Sequence, residues 1–66
     1  MMKENVKKLR QILFWSQTDL ATAIGVTRGT INNYESGHRS PRFRELKALV
    51  QLAKQHNIDV NFEGNE

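Results

Sequence analysis

Asn32 and Asn33 follow Arg28 by four and five residues, with Gly29 in between. Carboxamides and a guanidinium each make two hydrogen bonds in one plane. In the DNA major groove arginine matches guanine this way and asparagine matches adenine. For that chemistry the groups must share one side of a helix. At about 100° per residue, Gly29, Asn32, Asn33 and Ser36 fall together, and Arg28 stands at their edge. Ile31, Tyr34 and Glu35 fall on the opposite side. The solvated face of an ordinary surface helix carries the same residue types, so this pattern alone leaves both readings open. Catalysis has less to work with. His38 lies in a loop and His56 at a helix end, with no nucleophile or paired carboxylates beside them, and no phosphate-binding glycine loop is present. We expect no enzyme activity, no metal site and no cofactor.

The elements that would hold this face are legible from capping residues. Ser16 reads as an N-cap with Asp19 three residues on, and Trp15 and Leu20 flank it as a hydrophobic staple. Leu20, Ala21 and Ile24 give a short apolar face, and Gly25 supplies the left-handed residue that ends the helix. Thr27 caps the next helix, with Val26 and Ile31 as a second staple. Ser36-Gly37 stops it. Upstream, Met2, Val6, Leu9 and Leu13 recur on one side of a helix over about 3–14. Arg10 borders that stripe and needs a carboxylate, for which Glu35 is the nearest candidate.

Downstream, His38-Arg39-Ser40-Pro41 is a loop. Ser40 as N-cap with Pro41 at the first helical position predicts a fourth helix over about 41–55. Its apolar positions are Phe43, Leu46, Leu49, Val50, Leu52 and Ala53. Arg42 and Arg44 then sit in its first turn, where the helix dipole disfavours cations and phosphates would explain them. Asn57 is a candidate left-handed cap. Residues 58–63 alternate apolar and polar, which predicts a short strand ended by Gly64, with a fifth helix from Asp59 as the alternative. A lone strand would pair with its copy in a second subunit. Leu52, Ile58, Val60 and Phe62 are therefore the candidate dimer interface.

Sixty-six residues allow one domain with a small core, and we divide it into a core over about 3–57 and a tail over 58–66. Cysteine is absent, and no apolar run is long enough to span a bilayer. A cytoplasmic location is the expectation. Net charge is +3 and the pI is near 9.7, favouring an anionic partner. The charge is also sorted along the chain. Residues 1–15 and 38–47 each carry +3, whereas 16–37 carry −1 and 48–66 carry −2. Positive charge thus brackets the central pair of helices.

Taken together, Ser16-Gln17-Thr18-Asp19-Leu20-Ala21, Ile24-Gly25-Val26-Thr27 and Ile31-Asn32-Asn33-Tyr34-Glu35-Ser36-Gly37 closely resemble the phage-repressor and Cro type (Cro/C1-type) of helix-turn-helix domain. The resemblance covers roughly residues 5–55. It implies an all-α bundle of four or five helices whose third helix enters the major groove of a double-stranded operator, commonly as a homodimer. It assigns Gln17, beside Ser16 at the start of the second helix, to a phosphate contact that also buttresses a base-reading residue. Thr27, Arg28, Gly29 and Asn33 match positions facing bases or nearby backbone, and Asn32 shares that face. Ser36, Arg39 and Arg42, with Arg44 following, match a second backbone-contacting segment, and Arg10 and Glu35 match an interhelical ion pair. The family often has glycine at Phe14, so a different backbone path is expected at the first turn. The function implied is a DNA-binding repressor. An antitoxin-type module that binds a partner protein and autoregulates through DNA is the alternative.

Overall fold

A computed structural model describes residues 2–60 and Phe62, and the side chains of Met2 and Lys3 are not among the parts described. Four helices follow one another: α1 (Met2–Ile12), α2 (Gln17–Ile24), α3 (Arg28–Ser36) and α4 (Phe43–Gln55). Val6 and Leu9 of α1, Leu20 and Ala21 of α2, and Ile31 and Tyr34 of α3 are buried with Leu49, Leu52 and Ala53 of α4. The third helix packs on both α1 and α2, and α4 closes over α2. The second and third helices are only 8 and 9 residues long. Isolated helices of that length do not persist in water, so burial of one apolar side holds them in shape.

The caps explain where the helices stop and start. Ser16 Oγ accepts from the Asp19 amide while Asp19 Oδ2 accepts from the Ser16 amide, both at 3.0 Å. This reciprocal box satisfies two otherwise unpaired donors at the start of α2. Thr27 Oγ1 likewise accepts from the Thr30 amide at 3.2 Å. Gly25 and Gly37 take left-handed conformations, φ 77° and 84°, at the ends of α2 and α3.

The first turn departs from expectation. Phe14 itself adopts the left-handed conformation, φ 58°, so the backbone follows the path a glycine would take. The cause lies in two hydrogen bonds that close the end of α1: Trp15 N–H to Arg10 C=O and Phe14 N–H to Gln11 C=O, both 3.0 Å. That bonding pattern requires a left-handed residue between them, whatever its side chain. Asn57, φ 56°, does the same after α4, where Ile58 N–H reaches Ala53 C=O at 2.8 Å.

Two boundaries also differ. Helix α1 ends at Ile12, with Leu13 and Phe14 forming the turn. Helix α4 begins at Phe43 rather than Pro41, because Arg42 is extended (φ −82°, ψ 176°) and takes the cap position without a side-chain cap. Ser40 and Pro41 belong to the connection from α3.

The tail forms no strand among the described residues. Ile58 and Val60 pack against the helical core, and Phe62 is buried within it, 1% exposed. Alternation puts these three on one side of an extended chain, and the helices of the same chain cover that side. Asn61 and residues 63–66, including the Gly64 proposed to end the strand, lie outside the described residues. Leu52, Ile58, Val60 and Phe62 therefore all have partners within the chain.

Candidate nucleic-acid interface

The outer side of α3 is the place where the chemistry proposed for the sequence could occur. Ile31 and Tyr34 point into the core, and Arg28, Gly29 and Asn32 are exposed on the other side. Asn33 is half-buried. Its backbone carbonyl accepts from the Ser36 hydroxyl and from the Arg39 amide, both at 3.2 Å, leaving its carboxamide uncommitted to these bonds.

Gln17, at the first position of α2, organises this surface. Its Oε1 accepts from Arg28 at 3.3 Å. Its Nε2 donates to Glu35 Oε1 at 3.1 Å and lies 3.5 Å from Asn32 Oδ1. One amide thereby joins the exposed face of α3 to the inner side of the same helix. Long side chains such as Arg28 carry about 2 kcal/mol of rotamer entropy, and a partner on one flank restricts that freedom.

Behind Gln17 stands an ion pair. Arg10 donates from Nε and from a terminal nitrogen to the two Glu35 oxygens, at 2.8 and 3.0 Å. Its other terminal nitrogen donates to the Trp15 carbonyl at 3.1 Å, so Arg10 also braces the α1–α2 turn. The side chains are 17% and 8% exposed. The hydrogen bond from Arg10 holds that guanidinium's pKa above its ordinary value against the opposing effect of burial. For Glu35, burial works against ionisation. Hydrogen bonds from Arg10 and Gln17, with the charges of Arg10 and Lys7, outweigh it and hold the carboxyl below its usual range. Two-point guanidinium–carboxylate geometry is among the stronger polar contacts in proteins, and here it locks α1 to α3.

Not every proposed site residue has free hydrogen-bonding groups. Ser16 and Thr27 use their hydroxyl oxygens as caps, and Thr27 Oγ1 lies 2.9 Å from Thr30 Oγ1. Any contact they make elsewhere must use the hydroxyl proton or remaining lone pair. Ser36 Oγ lies 2.6 Å from His38 Nδ1, a pairing that sequence spacing did not suggest. Arg39, Arg42 and Arg44 are exposed around the α3–α4 connection and the start of α4. At Tyr34 burial, with the charge of Glu45, raises the hydroxyl pKa against the pull of Arg39 and Arg42.

Gly29 deserves a physical explanation, since glycine weakens a helix interior by about 1 kcal/mol relative to alanine. A Cβ built there meets only Thr27 Oγ1, at an ordinary 3.9 Å. Nothing inside the chain excludes a side chain at this position.

Residues 6–54 match the helix-turn-helix family model. The chain belongs to the helix-turn-helix family, of the Cro/C1 type. It is 43% identical over 61 residues to an uncharacterized HTH-type transcriptional regulator of Archaeoglobus fulgidus, covering 86% of this chain and 27% of that protein. It is 30% identical over 70 residues to the uncharacterized HTH-type transcriptional regulator YqaE of Bacillus subtilis (strain 168), covering 100% of this chain and 58% of that protein. This helix-turn-helix chain thus spans only part of the length of both relatives. No solved structure matches it significantly. Among the described residues no helix is long and apolar enough to cross a membrane.

Proposed function

We propose that this helix-turn-helix chain is a sequence-specific double-stranded DNA-binding transcriptional regulator, a repressor that occupies a palindromic operator as a homodimer. The observation carrying the reading is the built outer face of α3. Arg28 is steadied by Gln17, Asn32 and Asn33 lie beside it, and Gly29 leaves the backbone bare where no internal neighbour demands it. Arg28 reads a guanine and Asn33 a neighbouring adenine in each half-site. Thr27, Gly29 and Asn32 complete the base-facing surface, and at Gly29 the helix backbone approaches the groove closely.

Phosphate contacts set orientation and supply most of the affinity. Ser16 and Gln17 serve one strand. Ser36, Arg39, Arg42 and Arg44 serve the other, where the start of α4 lacks a side-chain cap and its amides face an anion favourably. Two copies read half-sites about 34 Å apart, one turn of the duplex.

Selection of bound duplexes from a random pool, repeated with Arg28→Ala, tests the reading. The expected result is an enriched palindrome whose preference relaxes at one guanine per half-site, at a cost of about 1–3 kcal/mol. Equal loss of affinity on every sequence would show that Arg28 does not read a base.

A further inference from the structure

On the outer face of α3, Gly29 alone brings no side chain, and the fold gains nothing from the omission. Its backbone has none of the left-handed geometry that Gly25 and Gly37 supply. A Cβ built on it would meet, beyond its two chain neighbours, only Thr27 Oγ1 at 3.9 Å. Alanine there would make a better helix. A methyl-sized space therefore stays open on an exposed position. Arg28 precedes it, and Asn32 and Asn33, three and four residues on, share its side of the helix.

The walls of this space have few hydrogen bonds to give. Thr27 Oγ1 accepts from the Thr30 amide at 3.2 Å and lies 2.9 Å from Thr30 Oγ1. Two of the three bonding positions of a hydroxyl are thereby taken. Arg28 is drawn to Gln17 on α2, at 3.3 Å, and Gly29 adds its Cα hydrogens. The major-groove edges of the bases carry acceptors, amines and, on thymine, a C5-methyl group. Of these, the methyl alone has no hydrogen bond to lose in such a place. It is also the size of the missing Cβ. The neighbouring Asn33 suits adenine, and adenine pairs with thymine, whose methyl lies on the same groove edge.

We infer that Gly29 is the seat of a thymine C5-methyl group, within one base step of the adenine that Asn33 reads. The chain selects thymine there by its methyl and not by a hydrogen bond. The inference rests on the operator reading and names a base which that reading leaves open. Carbon atoms touch at about 3.5–4.0 Å. A methyl at that distance from Gly29 Cα stands where a side chain would begin, so a Cβ at position 29 and a methyl on the base exclude one another.

The test moves a methyl group between protein and DNA. In the duplex enriched from a random pool, Asn33→Ala marks the adenine, and each nearby thymine is replaced in turn by deoxyuridine, which lacks only the methyl. One position per half-site should lose about fourfold in affinity, the contribution of one buried carbon, and about sixteenfold when both half-sites are changed. Gly29→Ala keeps its fold because the added carbon meets open space, which a circular dichroism melt checks. It should reverse the order at that position, binding the deoxyuridine duplex more tightly than the thymine one. Cytosine and 5-methylcytosine, each paired with guanine at the same position, separate the methyl from the rest of the base. The methylated duplex should bind wild type more tightly, again by about fourfold.

Three results would each overturn the inference: no thymine near the adenine whose methyl matters, a Gly29→Ala variant that still prefers thymine to deoxyuridine, or equal binding of cytosine and 5-methylcytosine. In all three the enriched sequence and its dependence on Arg28 leave the operator reading standing. A pool that enriches no sequence refutes that reading, and the inference falls with it.

Discussion

Phe14→Gly should stabilise this protein. Phe14 is held at φ 58° by the hydrogen bonds closing α1, and its ring is 95% exposed. Side-chain packing therefore offsets almost none of the strain, which for an L-residue in this region is about 1–2 kcal/mol. Glycine removes the strain but loses about 0.4–1 kcal/mol through the greater freedom of its unfolded chain. The net gain is about 0.5–1 kcal/mol. For a domain of this size that raises the thermal midpoint by roughly 2–8 °C. Urea unfolding followed by circular dichroism should show a higher midpoint at an unchanged slope. The companion variants make the cause visible. Phe14→Ala keeps the strained conformation and should be near neutral, Phe14→Asn should recover part of the gain, and branched Phe14→Val should destabilise. If alanine matched glycine, exposure of the ring would be the source of the effect and backbone strain would not.

Gly29→Ala should raise stability by up to about 1 kcal/mol, since the new methyl finds space, while weakening operator binding on titration; unchanged DNA affinity would show that the backbone does not approach the groove. Arg10→Met strands the mostly buried Glu35 carboxylate and should cost about 2–4 kcal/mol at pH 7. Because the folded-state pKa of Glu35 lies below its unfolded value, the ion pair's contribution is fully present above about pH 4.3. It is lost as pH falls through the folded value, so the difference between wild type and Arg10→Met should shrink in acid melts. Phe62→Ala empties a fully buried site and should cost about 3–5 kcal/mol, seen as early unfolding in denaturant; a change under 1 kcal/mol would place Phe62 outside the core. Arg39→Ala and Arg42→Ala should weaken all duplexes alike and flatten the salt dependence, whereas a selective loss on one sequence would move them to base reading.

Much of the helix-turn-helix was legible because its signals are local. The Ser16–Asp19 box, Thr27, Gly25 and Gly37 act within a few residues, and the division of α3 into Ile31 and Tyr34 against Asn32 and Asn33 follows from periodicity. Elsewhere residue type was a poor guide to backbone path or to what covers an apolar side. Phenylalanine is a poor left-handed residue, yet the end of α1 imposes that conformation on Phe14. Ser40-Pro41 carries a good helix start, but Arg42 stays extended and the helix waits for Phe43. Residues 58–62 have strand alternation because one side is apolar, and periodicity cannot say whether a sheet or a helical core covers it. The role of Gln17 could be located at the head of α2, but its three partners lie on another helix and become visible only in the folded chain.

That shared amide limits how the protein can be retargeted. An engineer who exchanges Arg28 for another reader also removes the donor that occupies Gln17 Oε1, and leaves that amide oriented only by its bonds from Nε2 toward Glu35 and Asn32. A new side chain at position 28 that carries an acceptor would face the Gln17 oxygen without a proton between them. New specificities should accordingly be sought by varying positions 17, 28 and 32 as one set, because libraries confined to α3 would discard good readers for want of a compatible neighbour.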